Sequence, residues 1–355
     1  MTRTKGGIAL VTGGHGFLGS HLVDLLLEEG YAVRCLLRPG RDAASLFGDR
    51  GGRVEAVRGD LRRADGLEDA VAGAALVFHL AGLTFARGPA EYFAVNAAGT
   101  RRFAEAVGRA APGCRRFLYV SSQAAAGPST DGRAVTEDAP PNPLTHYGKS
   151  KLAGERVLEE ALGPVPFTVV RPPAIYGPRD EAILPFFQAA SWGVAPGLEG
   201  RGRRFNLLHA RDVAEGMLAA ARAPAAAGRC YFLSDGRGYG YPELRRALES
   251  AFGRPSRRIP LPDGLVTLAA ALAEEVAVLA GAVPLFGRQK AIELKQRWWL
   301  CSGERAAREL SWRPRIPLER GFLETAAWYA ERGLVRAGRE AGAGSGFLGG
   351  PRSPL

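Results

Sequence analysis

Tyr147 and Lys151 stand four residues apart at the start of the stretch His146–Leu162, whose apolar spacing has helical period. On a helix that separation puts both side chains on one face, one turn apart. A phenol at its ordinary pKa near ~10 is a poor general base at neutral pH, and a neighbouring ammonium favours the phenolate. The pair could therefore move a proton to or from an oxygen. Ser121 and Ser122 close a preceding strand, where a hydroxyl could hydrogen-bond that oxygen.

A second chemical signal lies at the N-terminus. The run Ile8–Gly19 reads as a strand, a glycine turn and a helix start, with Gly13, Gly16 and Gly19 each three apart. Glycine is required there for positive φ, for backbone approach to a pyrophosphate, and for close helix–sheet packing. The helix N-terminus then offers free N–H groups to phosphates. The pattern points to a nicotinamide dinucleotide, whose oxidised ring would further favour a Tyr147 phenolate. At the end of the second strand, where an acid would hold a ribose 2′-hydroxyl, the chain has Leu37-Arg38 with Arg41 close behind. A guanidinium suits a 2′-phosphate, so NADP(H) is favoured. NAD(H), with Asp42 on the ribose, is the alternative.

The elements that must position these residues follow from the alternation of β-rich and helical runs. Strands are expected at Ile8–Thr12, Ala32–Leu37, Arg53–Arg58, Leu76–Leu80, Arg116–Ser121 and Pro166–Arg171. Helices are expected at Gly16–Glu29, Gly66–Val71, Glu91–Ala111 and His146–Leu162. This order predicts an α/β fold: a doubly wound parallel Rossmann-type sheet with a smaller, mostly helical C-terminal substrate domain. The dinucleotide domain is expected over 1–171, with 206–233 returning to it. The substrate domain is expected over 172–205 and 234–335, and residues 336–355, glycine-rich and aperiodic, as a disordered tail.

Residues 5–332 resemble the extended short-chain dehydrogenase/reductase superfamily, which includes nucleotide-sugar epimerases, dihydroflavonol reductases and 3β-hydroxysteroid dehydrogenases. The resemblance rests on Thr12-Gly-Gly-His-Gly-Phe-Leu-Gly19, Gly59-Asp60-Leu61, His79-Leu80-Ala81-Gly82, Asn96, Tyr119-Val-Ser-Ser122, Tyr147 with Lys151, and Arg171-Pro-Pro-Ala-Ile-Tyr-Gly177. It implies that the turn Thr12, Gly13, Gly16, Phe17, Leu18 and Gly19 binds cofactor. Asp60 and Leu61 would flank the adenine, Leu80, Ala81 and Gly82 would line the cofactor, and the backbone from Pro172 to Ile175 would meet the nicotinamide. Ser122 would polarise a carbonyl, Tyr147 act as acid/base, and Lys151 hold the nicotinamide ribose. Ser122 fits better than Ser121 because it stands five residues before Gly127, as in relatives with a Ser-x-x-x-x-Gly run. Asn96 is read as bonding backbone at a helix kink, and His79 and His209 as orienting backbone. His146 is read as a spectator.

Two enzyme classes compete. A reductase exchanges its cofactor, whereas an epimerase or dehydratase keeps it and regenerates it each turnover. The run Arg203–Asp212 departs from the pattern of nucleotide-sugar enzymes, with an Asn-Leu-Leu-His insertion resembling steroid, flavonol and hopanoid-associated members. Phe85, Phe186, Phe187, Trp192 and Leu285 are candidates for an apolar substrate pocket. Arg179, Arg203 and Arg204 are the candidates for a sugar diphosphate, which keeps the second reading alive. A non-catalytic dinucleotide sensor on the same fold is the third; such proteins commonly lose the tyrosine or the lysine, and this chain keeps both.

Composition narrows the partners. The chain has 355 residues, is 46% hydrophobic and 23% charged, and carries a formal charge of +11. The basic residues are dispersed, and the runs Arg201–Arg204 and Arg313–Arg315 lack an aromatic ladder for bases, which argues against nucleic acid. Cys35, Cys114, Cys230 and Cys301 lie far apart with no spacing for zinc or redox exchange, pointing to a reducing, cytoplasmic setting without a metal. Met1 leads into a strand at Ile8 within a few residues, without the pattern of a secretory signal. The most apolar stretch, Leu265–Phe286, is broken by Glu274 and Glu275, and its uncharged runs are too short to span a bilayer. It is expected to be a buried helix of the substrate domain, with contact to a membrane surface as the alternative. A small-molecule substrate and a homodimer through the Glu91–Ala111 and His146–Leu162 helices, as in superfamily relatives, complete the expectations.

Overall fold

Seven runs rich in Val, Leu, Phe and Ala form one sheet: β1 (Ile8–Thr12), β2 (Ala32–Leu37), β3 (Val54–Arg58), β4 (Ala74–His79), β5 (Arg116–Val120), β6 (Phe167–Arg171) and β7 (Arg229–Phe232). The computed structural model describes residues 6–50, 52–198, 202–284 and 286–336. Strand order is β7-β6-β5-β4-β1-β2-β3, and every neighbour is parallel. Strands covered on both faces read as continuous apolar runs; β5 is buried at all five positions. The order reverses between β1 and β4, whose carboxyl ends open the crevice in which ligands of such sheets bind. This is the doubly wound α/β architecture expected from the sequence.

The helices used below are α1 (Phe17–Glu28), α2 (Thr100–Ala110), α3 (His146–Arg156), α4 (Ala210–Arg222), α5 (Tyr241–Phe252), α6 (Asp263–Leu279) and α7 (Leu318–Glu331). On one face of the sheet Leu22, Val23 and Leu26 of α1 share a core with Val213, Met217 and Leu218 of α4. On the other, Phe103 and Val107 of α2 pack with Leu67, Val71, Leu158 and Leu162. A separate core joins α5 and α7 through Leu248, Phe252, Phe322 and Tyr329.

The expected Glu91–Ala111 helix is composite: a short helix Pro89–Phe93, a π-helical segment Ala94–Gly99, then α2. Asn96 lies in the widened turn. Its Oδ1 accepts from Leu83 N–H at 2.7 Å, and its Nδ2 donates to Leu83 O and Ser150 Oγ, each at 2.9 Å. The amide thus ties the chain after β4 to α3. The His146–Leu162 run also divides, α3 ending at Arg156 before a short helix Leu158–Ala161.

The stretch expected as a buried helix, Leu265–Phe286, gives the exposed helix α6, in which only Val266 and Ala270 are buried. Apolar residues surround this helix, while its chief neighbour is the single short helix Arg288–Leu294, so one face is covered and the rest is not. Among the described residues no helix is long and apolar enough to cross a membrane. The expected tail lies, apart from Arg336, outside the described residues.

Candidate active site

The glycine turn is built by exclusion of side chains. Gly13 has φ +73°, and a Cβ there would lie 3.0 Å from Ala81 N. A Cβ on Gly19 would lie 2.0 Å from Gly13 O, so α1 can approach the turn only without a side chain at that position. Gly16 begins α1 with no side-chain cap, which leaves the first-turn N–H groups, including those of Phe17 and Leu18, for a ligand anion. Across the crevice Thr12 Oγ1 accepts from Ala81 N–H at 3.0 Å and meets His79 Nδ1 at 2.7 Å. His79 Nε2 meets Thr100 Oγ1 at 3.0 Å, and that hydroxyl donates to Asn96 O at 2.8 Å. Burial and then Lys151 pull His79 down to about 3. The neutral ring consequently donates from Nε2 and accepts at Nδ1. His79 thereby bridges two threonine hydroxyls, rather than the backbone expected for it.

At the far end of the crevice Arg38, Arg41, Arg63, Asp60 and Asp65 line an open cleft of about 580 Å³. Asp60 Oδ1 is engaged by Arg62 N–H at 2.9 Å, and Leu61 is buried beside it. The Arg58 guanidinium donates to the carbonyls of Arg38 and Arg41 and fixes their backbone. His15 of the glycine turn is lowered by burial, then by Arg41 and Arg38, which places both guanidinia in the field of the phosphate-binding loop.

Helix α3 delivers the tyrosine and the lysine. Thr145 caps it, Oγ1 accepting from Gly148 N–H at 3.1 Å. A Cβ on Gly148 would lie 2.3 Å from Ala124 O, and one on Gly154 2.3 Å from the Tyr119 hydroxyl. These two glycines let α3 close on the Ser122 turn and on β5. The hydroxyl of Tyr147 lies near that of Ser122, close enough for Ser122 to favour its ionised form. Ser122 Oγ also accepts from Ala124 N–H at 3.1 Å, whereas Ser121 is bonded to Glu155. Lys151 Nζ stands 4.3 Å from the centre of the Tyr119 ring and would be 3.7 Å from a Cβ on Gly82. Pro172 O accepts from Gln123 N–H at 2.9 Å, and Ile175 lies in a strand, Ala174–Tyr176, paired with Leu207–His209. The structure therefore brings Ser122, Tyr147, Lys151, Gly82 and the Pro172–Ile175 backbone to one end of the crevice.

Burial dominates the electrostatics. It pushes Tyr147 up to about 12, against the pull of Ser122 and with help from Glu293 and Tyr92. It pulls Lys151 down to about 7, against Glu155. The lowering of the phenol expected from the neighbouring ammonium is outweighed, because desolvation drives both groups toward their neutral forms.

Several neighbours escaped the sequence. Glu155 accepts from Arg171 Nε at 2.9 Å and Nη2 at 2.5 Å, a pair almost wholly buried. Glu155 lies one turn beyond Lys151 and Arg171 ends β6, so both were visible but their meeting was not. Tyr92 has its ring 6.3 Å from that of Tyr147. Gln123 is buried beside Ser122, and its Nε2 has no hydrogen-bond partner among the described residues.

The residues proposed for a sugar diphosphate are engaged elsewhere. Arg179 bonds Asp24 at 2.8 Å, Arg203 bonds Asp263 at 2.7 Å and Arg204 bonds Glu243 at 2.6 Å. Nor do the expected pocket aromatics assemble. Phe187 is core, packed against Phe252, Phe322 and Tyr329. Phe186 and Trp192 are exposed, Phe85 is half-buried, and Leu285 lies outside the described residues. His209 caps α4 by accepting from Arg211 N–H at 3.3 Å, and His146 offers its backbone N–H to Gln289 Oε1 at 2.9 Å.

Residues 9–232 match the model of the NAD dependent epimerase/dehydratase family. The chain is 35% identical to a ceramide reductase of Caulobacter vibrioides, over 94% of this chain and 98% of the relative. It is 31% identical to sterol demethylase protein B of Methylococcus capsulatus, over 92% and 99% of the two chains. A UDP-glucose 4-epimerase from Thermotoga maritima shares the fold, with a TM-score of 0.73, 21% identity and 92% of this chain covered, 99% of that one. The chain belongs to the NAD-dependent epimerase/dehydratase family, in its sterol and 3β-hydroxysteroid dehydrogenase-like extended short-chain branch.

Proposed function

We propose that this member of the NAD-dependent epimerase/dehydratase family interconverts a ketone and a secondary alcohol on a largely apolar substrate, using NADP(H) in preference to NAD(H). The observation that carries the reading is the meeting of Ser122, Tyr147 and Lys151 beside Gly82. The crevice fits a dinucleotide, since the turn excludes side chains at Gly13 and Gly19 and leaves uncapped N–H groups at α1. When bound, the nicotinamide supplies or accepts the hydride at C4.

The chain's own part is to hold the substrate oxygen and move one proton. Ser122 and Tyr147 converge on that oxygen, and Tyr147, protonated at neutral pH, donates to it as the ketone is reduced. Lys151, directed at the Gly82 backbone, holds the ribose and steadies negative charge on the phenol oxygen during transfer. Asp60 and Leu61 take the adenine. Arg38, with Arg41 and Arg63 beside it, takes a 2′-phosphate, the basis for preferring NADP(H). The apolar substrate class is supported by the ion pairs that occupy Arg179, Arg203 and Arg204, and by likeness to a ceramide reductase and a sterol demethylase protein.

Mass spectrometry of nucleotide released from freshly purified, denatured protein tests this reading. Empty protein that binds added NADPH better than NADH is the expected result. Near-stoichiometric, tightly held NAD⁺ would instead favour a sugar epimerase or dehydratase and overturn the role of Arg38. The reading also places the chain in the cytoplasm, in keeping with four free cysteines, and as a homodimer; a strict monomer by light scattering would refute the latter.

A further inference from the structure

One polar group at the site has no task within the fold. Gln123 follows Ser122 in the chain and is only 4% exposed, and its Nε2 has no hydrogen-bond partner among the described residues. Buried amides are normally paired, and leaving one unpaired costs stability. The backbone of the residue is engaged on both sides. Its N–H donates to Pro172 O at 2.9 Å, and its carbonyl accepts from Gly127 N–H at 3.1 Å. Ala124, Ala125 and Ala126 complete its short helix, so no side chain of that element can serve the amide.

The neighbouring polar side chains already have partners. Ser121 and Arg171 are bonded to Glu155. Asn96 bonds Leu83 and Ser150, and Thr145 Oγ1 donates to Glu293 at 3.1 Å while accepting from Gly148 N–H. What remains for a ligand is Ser122, Tyr147 and Lys151, which the proposed reaction uses, and the Gln123 amide, which it does not. The other buried nitrogens without a partner among the described residues are of a different kind. Those of Arg116, Arg179 and Arg203 are Nε atoms of guanidinia already bonded through Nη. His209 Nε2 stands 3.9 Å from Glu324, and Trp312 belongs to the core shared by α1 and α4. Gln123 alone of these adjoins Ser122.

We infer that Gln123 is a specificity residue whose amide Nε2 donates to a second oxygen of the substrate, close to the ketone that is reduced. Ser122 and Gln123 are consecutive, with Cα atoms about 3.8 Å apart. A ligand whose reacting oxygen meets Ser122 can therefore bring another oxygen, a few bonds away, to Gln123. The nicotinamide would meet the backbone from Pro172 to Ile175, and Gln123 touches that segment through its own N–H. Its side chain is the part left to the substrate. A buried donor discriminates, since a ligand without the acceptor leaves it unpaired. The substrate class narrows accordingly, from an apolar ketone to one flanked by a hydroxyl or a carbonyl. The assignment to a ketone substrate rests on the proposed reaction, whereas the unpaired amide does not depend on it.

Gln123→Met, which keeps the length of the side chain and removes the amide, tests this in two ways. The ligand-free variant should melt about 1–4 °C above wild type, because an unpaired buried amide is gone. A midpoint equal to wild type or lower overturns the proposal, since the amide is then satisfied within the fold or by a resident water. The second test uses two probes reduced with NADPH: a long-chain ketone, and the same chain with a hydroxyl on the carbon next to the carbonyl. Wild type should prefer the hydroxyketone by roughly ten- to a hundredfold in kcat/KM. Gln123→Met should erase that preference while NADPH binds as before. Equal use of both ketones by wild type overturns the assignment. So does a loss of NADPH affinity in the variant, which would give the amide to the nicotinamide. If wild type reduces neither ketone, the proposed reaction falls, and the thermal comparison alone upholds or overturns a ligand role for Gln123.

Discussion

Replacing Glu155 by Gln removes one charge from the most buried ion pair at the site while keeping its shape. Arg171 and Glu155 are 6% and 10% exposed, so the remaining guanidinium would be a buried cation with a weakened partner. Removing one member of such a pair costs about 3–5 kcal/mol. With an unfolding entropy of roughly 2.1 cal/mol/K per residue over roughly 330 residues, or about 0.7 kcal/mol/K, the midpoint should fall by ~4–7 °C. Calorimetry of Glu155→Gln reads this directly. The double variant Glu155→Leu/Arg171→Met should recover part of the loss, because two apolar groups leave no unpaired charge. The same substitution has a chemical signature: Glu155 raises the pKa of Lys151, so without it Lys151 loses its proton at lower pH and the alkaline limb of the pH–rate profile moves down. A midpoint within about 1 °C of wild type, with an unmoved profile, would refute the reasoning.

Other outcomes follow from the same geometry. Arg38→Ser should weaken NADPH binding by roughly ten- to a hundredfold and leave NADH nearly unchanged, since a charge-assisted bond is worth about 1.5–3 kcal/mol; titration with both cofactors checks it. Stability should fall as pH drops from 6 to 4. His21 and His79 are held near about 3 and His209 near about 4, so the unfolded chain binds their protons first. Asp180, raised to about 6, acts with the opposite sign because the folded state binds its proton first. The net is about two protons taken up on unfolding, roughly 2.7 kcal/mol lost per pH unit, measurable by denaturant titration at several pH values.

Much of this is legible in the sequence. The parallel sheet announces itself because runs such as Ile8–Val11 and Phe117–Val120 are continuously apolar and lie between helical ones, and the glycine turn because backbone constraint allows few residue types. Local spacing also put Tyr147 and Lys151 on one helix face. What periodicity could not see was contact between distant segments. Periodicity in the run Glu91–Ala111 does not show the widened turn behind the kink expected at Asn96, which exists because its amide reaches Leu83 and Ser150. Glu155 finds Arg171 only when α3 lies across β6. Composition also misleads: the apolar stretch at α6 reads as core, yet too little of the chain packs around it, and Phe187 reads as a pocket residue although α5 and α7 enclose it. The shift of Tyr147 ran opposite to expectation for a related reason, since burial is a property of the assembled site.

The role of Tyr147 is tested most directly by single-turnover reduction of an apolar ketone by NADPH with wild type and Tyr147→Phe, with cofactor affinity measured alongside. The account predicts that hydride transfer slows by at least about a hundredfold, the usual scale of a lost general acid, while NADPH binds as before. A Tyr147→Phe protein that reduced the ketone at the wild-type rate would contradict it.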